Sequence, residues 1–257
     1  MIDNQTKIYM SVSSRPGNFG ASIFNELFRR HGINAIYVPR RSKTAAEVVA
    51  ALRTFDVCGC AISSPLKTEM ISHLDEIAPV ARECSSINTI VNRDGQLHGF
   101  NTDVYGVQMA LVKCGLKRAL IYGSGSVVTS VIVALKINAF TDISVTARRK
   151  SKADRIASEH GVKSGRNSYE LLINATPASL DPANQELFGL SLNAKTVFDL
   201  VVSPTDTPLI AEAKSSNLHT INGVEMSKWQ LQKQFELYTG NRVDISEIDA
   251  IIGRVYR

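Results

Sequence analysis

The stretch that most limits how this chain can fold runs from Ala119 to Asn138. An apolar run, Leu120-Ile121-Tyr122, enters Gly123-Ser124-Gly125-Ser126 and leaves as a segment rich in valine and isoleucine. The uncharged part, Ala119 to Leu135, is short for a membrane span and holds its glycines and serines at the middle, so it reads as a buried strand, a loop and a helix. A G-x-G in that setting permits a tight turn and lets backbone N–H groups approach a pyrophosphate at a helix N-terminus. Alone it also fits an ordinary turn, because Val128 stands where the dinucleotide fingerprint has its third glycine. An NAD site would carry an acidic residue about 20 residues further on, to hold the ribose 2′-hydroxyl. Ala147-Arg148-Arg149-Lys150 occupies that place, with Lys152 just beyond. Arginine there can fork onto a 2′-phosphate and stack on adenine, which predicts NADP.

The rest of the chain repeats the strand and helix alternation. Strands are expected at Lys7 to Val12, Asn34 to Val38 and Val57 to Ile62, with helices at Ala21 to His31, Thr44 to Leu52 and from Pro65 onward. Arg93-Asp94-Gly95 between two apolar runs predicts a hairpin that closes this part at its edge. A helix from Val104 to Lys113, capped by Thr102 or Asp103, leads to the second alternation, with strands near Ala119, Ile143, Leu171, Thr196 and Thr220. Beyond Gly223 the pattern is wholly helical, Val224 to Tyr238 and Ile245 to Tyr256. That is too little chain for a domain of its own. The expectation is an α/β protein of two domains. Residues 1–103 and 224–257 would form one, with a mostly parallel sheet; residues 104–223 would form a Rossmann domain.

Composition sets the class. In 257 residues, 44% hydrophobic and 21% charged content is that of an ordinary globular protein. The net charge of +5 is gathered in short groups such as Arg40-Arg41-Lys43 and Arg148-Arg149-Lys150. No basic stripe interleaved with aromatics is present, so small anions rather than nucleic acid are the expected partners. Cys58, Cys60, Cys84 and Cys114 lack metal-ligand spacing, and no metal is expected. With no apolar leader in Met1 to Lys7, the expected setting is cytoplasmic and away from membranes, as a monomer or a homodimer.

Ala61 to Lys67, A-I-S-S-P-L-K, puts a lysine at a helix start. Ser64 as N-cap and Pro65 as first residue would place Lys67 third, near the positive end of the helix dipole, where the neutral amine is favoured. An amine that trades protons near neutral pH can serve an alcohol oxidation or a ketone reduction. Asp103 could orient it. A solvated surface lysine is the competing reading of the stretch by itself.

Ser63-Ser64-Pro65-Leu66-Lys67, Ile87-Asn88-Thr89, Asn101-Thr102-Asp103, Gly123-Ser124-Gly125, Ile173-Asn174-Ala175-Thr176 and Gly223 with Gln230 occur in an order that resembles the shikimate dehydrogenases over nearly the whole chain. The resemblance implies an NADP-dependent oxidoreductase of aromatic amino acid biosynthesis, interconverting shikimate, or a related polyhydroxy ring acid such as quinate, and its 3-dehydro ketone. By the same resemblance Lys67 is the acid/base with Asp103 as partner, and Ser63, Asn88 and Gln230 bind substrate. Gly123, Ser124, Gly125, Ser126, Val127, Ala147, Arg148, Arg149, Lys152, Val201 and Gly223 would hold the cofactor.

The departures lie on the acid. Asn18 and Gly20 stand where family members hold the substrate carboxylate with two serines, so that Arg15, Ser13 or Ser14 would take over. Ala61 replaces an asparagine and Val202 a substrate-contacting tyrosine. A divergent paralogue with weak or altered recognition of shikimate is therefore expected. Two other readings compete. Ser64-Pro65-Leu66-Lys67 fits the S-x-x-K of penicillin-binding acyltransferases, but S-D-N and K-T-G are absent. A non-catalytic NADP-binding redox sensor would explain the altered loop, yet has no use for a proton-transfer pair.

Overall fold

A computed structural model describes residues 2–255; the end of the last expected helix, at Tyr256, lies outside them. The chain divides into two compact units, Met1–Thr102 with Gln230–Arg257, and Asp103–Trp229. Each carries its own six-stranded sheet.

In the first unit the strands are β1 (Lys7–Ser13), β2 (Ala35–Arg41), β3 (Gly59–Ile62), β4 (Glu76–Ile77), β5 (Thr89–Arg93) and β6 (Gln96–Phe100), in spatial order β2-β1-β3-β5-β6-β4. β1 lies parallel to β2 and β3, whereas β5 is antiparallel to both β3 and β6. The hairpin forms as its turn residues demand: Arg93 pairs with Gln96, and Asp94 and Gly95 both take positive φ, 52° and 86°. It does not close the sheet, because β4 adds parallel to β6 outside it.

One face of this sheet is aromatic. Helix Phe19–Arg30 supplies Phe24 and Phe28, and helix Gly223–Thr239 returns Phe235 and Tyr238 against them. Tyr9 on β1 places its ring 5.0 Å from the Tyr238 ring, tilted by 38°, and donates a hydrogen bond from its hydroxyl to the Tyr238 carbonyl. The end of the chain thus completes the core of its beginning. On the other face, Val48, Leu52, Leu66 and Met70 join Val12, Cys60 and Ile62 in a buried cluster.

The second unit holds β7 (Arg118–Tyr122), β8 (Asp142–Thr146), β9 (Lys163–Ser164), β10 (Leu171–Asn174), β11 (Thr196–Asp199) and β12 (His219–Ile221). All pair in parallel, in the order β12-β11-β10-β7-β8-β9. This is the doubly wound Rossmann arrangement, with its switch point between β7 and β10. β7, β10 and β11 read as near-continuous apolar runs because both faces are covered.

Several local expectations change. After the cis bond Ser64–Pro65, Pro65 is the residue before a helix of only four residues, Leu66–Glu69, which passes into a 3-10 turn, Met70–His73. Lys67 is therefore second rather than third in its helix, and Ser64 does not cap it. A single turn also has too few aligned peptides for a macrodipole argument. The helix after β6 begins at Thr102, so Thr102 and Asp103 lie in its first turn instead of preceding it.

Candidate active site

In the first unit, the chain near Asn88 is tied down from three directions. The Ile62 amide donates to the Asn88 carbonyl at 2.8 Å, the Asn88 amide donates to Phe100 at 3.0 Å, and the Ile87 amide donates to the Lys67 carbonyl at 3.0 Å. The ends of β3 and β6 and the turn bearing Lys67 are thereby joined at two consecutive residues, Ile87 and Asn88. The Asn88 side chain is buried, and its Oδ1 accepts from the Thr102 amide (2.8 Å), the Thr102 hydroxyl (3.1 Å) and the Thr89 hydroxyl (2.8 Å). The first amide of the following helix, one of those with no partner inside the helix, is satisfied in this way. Thr89 in turn accepts from Gln234 Nε2 at 2.9 Å.

Lys67 is half-buried, Ser63 is exposed, and Gln230 is half-buried one turn before Gln234 on the helix Gly223–Thr239. Positions four apart share a helix face, so Gln230 lies on the side whose next turn touches Thr89. Asp103 is buried in the first turn of its helix, in the second unit. Arg15 and Asn18 are exposed in the loop after β1. Asn18 precedes helix Phe19–Arg30 and makes no side-chain cap; only its carbonyl is used, accepting from the Ser22 amide. Ser13, at the end of β1, has a buried hydroxyl without a hydrogen-bond partner.

In the second unit a cavity of about 450 Å³ opens at the carboxyl ends of the central strands. Tyr122, Gly123, Ser124 and Gly125 line it from β7, and Ala147, Arg148 and Arg149 from β8. Gly123 has φ +149°, which favours glycine, and a Cβ there would stand a tight 3.1 Å from the Ala175 carbonyl oxygen. The loop is seated by the Gly123 amide, which donates to Thr146 at 2.8 Å. Val128 is fully buried in the helix Val127–Ile137, so this helix packs on the core through a side chain where the fingerprint uses a glycine. Arg148 and Arg149 are exposed at the cavity edge.

Ser126, Val127, Lys152, Val201 and Gly223 are not among the lining residues. Gly223 instead lets the helix it begins approach the chain after β11. A Cβ there would lie 2.4 Å from the Val201 carbonyl oxygen. Asp199, fully buried, holds that chain by accepting from the Val201 amide, Thr207 and Asn174.

The opposite wall was not foreseen. Ala175, Thr176, Pro177, Ala178, Asp181 and Asn184 complete the cavity. The one available signal was Asn174-Ala175-Thr176, where Asn174 and Thr176 form a closed turn: Asn174 Oδ1 accepts from the Thr176 hydroxyl at 2.7 Å, and Thr176 then caps Ala178.

Among the described residues no group of His, Cys, Asp and Glu is placed to hold a metal ion, and no helix is long and apolar enough to cross a membrane.

Comparison with known proteins gives the family and the fold. Residues 19–90 match the family model described as the shikimate dehydrogenase substrate binding domain. The chain is 32% identical to a shikimate dehydrogenase-like protein of Haemophilus influenzae, over 94% of each chain. It is also 32% identical to a shikimate dehydrogenase (NADP(+)) of a Geobacillus strain, covering 89% of this chain and 90% of that one. Among solved structures it superposes with a TM-score of 0.85 on the shikimate 5-dehydrogenase of Thermus thermophilus in complex with NADP(H) and shikimate, at 25% identity, covering 97% of this chain and 99% of that one.

Proposed function

The chain belongs to the shikimate dehydrogenase family, and from that premise we propose that it is an NADP-dependent oxidoreductase interconverting shikimate, or a related polyhydroxy ring acid such as quinate, and its 3-dehydro ketone. The observation that carries the proposal is the glycine-lined cavity at the switch point, edged by Arg148 and Arg149. The amides around Gly123 suit a pyrophosphate, and the two guanidinium groups suit a 2′-phosphate. When bound, NADP supplies the hydride acceptor.

Oxidation of a secondary alcohol also requires its hydroxyl proton to leave. Lys67 takes that proton at Nζ and returns it to the carbonyl oxygen in reduction, with Asp103 as its orienting partner. Asn88 and Gln230 hold ring hydroxyls, and Ser63 adds a contact. In this reading residues 1–103 and 224–257 bind the acid, and residues 104–223 the cofactor.

The carboxylate is held differently from the serine pair of the family, which makes turnover of shikimate weak. Asn18 is engaged through its backbone, whereas the Ser13 hydroxyl is a buried donor lacking an acceptor. A carboxylate oxygen would satisfy it, with Arg15 adding charge. Ser13→Ala is accordingly expected to leave the melting temperature unchanged or slightly raised while KM for the acid rises about tenfold, the worth of one charge-assisted hydrogen bond. An unchanged KM would remove Ser13 from the carboxylate site.

The basic rim gives a second expectation. Arg148→Ala should weaken NADP by about 10-fold to 100-fold, as for loss of a hydrogen bond to a charged group, and leave NAD nearly untouched. Titration of both cofactors by fluorescence checks this, and equal losses for the two would refute the 2′-phosphate assignment.

The function itself is tested by following reduced nicotinamide with NADP or NAD against shikimate, quinate or no acid. No reduction with any acid, alongside tight NADP binding, would favour the redox-sensor reading instead.

A further inference from the structure

We propose that the first unit carries a second binding site, a groove beneath the helix Ala45–Thr54, and that it takes a small carboxylate with an apolar tail. The groove is a cavity of about 410 Å³, within the size range of small-molecule pockets.

Its walls follow from how the helix sits on the sheet. Val48 and Leu52 pack with Cys60 and Ile62 of β3 and Ile90 of β5, so the helix lies toward the middle strands. β2 is the edge strand, and its Val38 is left only half-buried in the lining. β1 contributes Ile8, Met10 and Val12, alternate residues of one face. Tyr9 belongs to the aromatic face on the other side, and Ser13 shares that side by the same alternation. The groove therefore opens away from Ser13, and none of the residues proposed to bind the substrate lines it.

The two ends differ in chemistry. At one end the lining is apolar. Val57 and Phe55 meet the start of β1 there, where the Cys58 amide donates to the Ile8 carbonyl at 2.8 Å, and Phe55 is 68% exposed. At the other end Val12 pairs with Arg40, and both Arg40 and Arg41 line the mouth. Arg40 spends one of its five N–H donors on the Pro39 carbonyl, at 3.0 Å. Neither arginine is in an ion pair among the described residues. Glu47 also lines this end, but the adjoining loop already engages it: its carboxylate accepts from the Ser42 hydroxyl at 2.7 Å and the Lys43 amide at 3.2 Å. The balance of charge at the mouth is positive.

Between the ends run four residues of β1, about 13 Å of strand, with Ala51 of the helix facing them. A ligand that matches this order has its negative charge at one end and an apolar tail at the other. A neutral apolar molecule would gain nothing from the arginines, and a wholly polar anion would gain nothing from the walls. A stable protein contact covers about 800 Å² per partner, so a slot this short between a sheet and a helix suits a small molecule.

The test titrates octanoate into the full chain, with octylamine and octanol as probes of the same tail and a different head. Calorimetry and the NMR shifts of the Val12, Val38 and Val48 methyl groups report binding. Octanoate should shift these methyls and octylamine should not. Arg40→Ala should weaken octanoate about tenfold, the low end for a hydrogen bond to a charged group because the arginine is exposed. Ala51→Leu should weaken it about tenfold or more, by shutting out methylene groups of the tail. NADP affinity should stay as in the wild type for both. Arg40 is exposed, so Arg40→Ala still decides the matter if Ala51→Leu does not fold.

Methyl signals that do not move with octanoate would overturn the proposal, as would octanol binding as well as octanoate. Octanoate displaced by NADP or shikimate would place it in the sites already described. A dimer in sedimentation that Ala51→Leu breaks would make a second copy of the chain the occupant instead. The site stands apart from the proposed activity, so a protein that turns over no such acid would refute that activity and leave these titrations to decide the groove.

Discussion

Lys67→Ala is expected to lower kcat for the alcohol oxidation by about 10²-fold to 10⁴-fold, the usual worth of a positioned acid/base, with little change in NADP affinity or folding. The structural part of the expectation comes from how the residue is held. Its backbone carbonyl accepts from Ile87, and its neighbour Leu66 is the one that enters the core. Truncation beyond Cβ keeps both. The chemical part is sharpened by Lys67→Arg. Guanidinium retains the positive charge and much of the reach but does not give up its proton in the working pH range. If Lys67 served only to attract an anionic substrate, arginine would restore the rate. If it moves the proton, Lys67→Arg should be nearly as slow as Lys67→Ala. Turnover undiminished in Lys67→Ala would remove the residue from the mechanism.

How much of this was legible in the chain depends on how local each signal is. The hairpin at Asp94-Gly95 and the parallel strands β7, β10 and β11 follow from turn chemistry and continuous apolar runs, both contained in a few residues. β4 and β9, two residues each, are strands only because β6 and β8 offer them an edge, and no pattern of two residues can announce that. Pro65 misled for a different reason. A proline after a serine suits a helix start, yet here the Ser64–Pro65 bond is cis and the helix begins one residue later. On the site, Gly123 and the basic group were visible because the glycine loop between strand and helix and the arginines at the end of the next strand, read together, narrow what each could mean alone. The wall from Thr176 to Asn184 was hidden, since its residues meet the glycine loop only through strand order. Gln234 was hidden more deeply. It sits among polar neighbours, Gln230, Gln232 and Lys233, and its partner Thr89 is 145 residues away.

The second large effect is a stability change at a glycine that resembles a cofactor residue. Gly223→Ala should lower stability by about 1–3 kcal/mol, the usual cost of overpacking, and with it the melting temperature by roughly 2–12 °C at about 2–4 °C per kcal/mol. Two influences oppose each other. Gly223 opens the helix Gly223–Thr239, and helix propensity favours alanine by about 1 kcal/mol in a helix interior. Against that, the added Cβ would stand 2.4 Å from the Val201 oxygen, 2.6 Å from its carbonyl carbon and 2.7 Å from the Leu200 oxygen. These are backbone atoms, and the chain that carries them is pinned by the Asp199 carboxylate, which accepts from the Val201 amide. Relief would have to break that contact or displace the helix, so the clash decides the sign. Gly125→Ala is the control, since a Cβ there meets nothing within 4 Å. It should melt like the wild type and yet bind NADP more weakly, because its open space is where a pyrophosphate would approach the backbone. Calorimetry and cofactor titration on the pair would then separate a glycine kept for the close approach of its own chain from one kept for a ligand. A Gly223→Ala protein as stable as the wild type would mean that the segment after β11 yields, and that Gly223, too, is kept for what it binds.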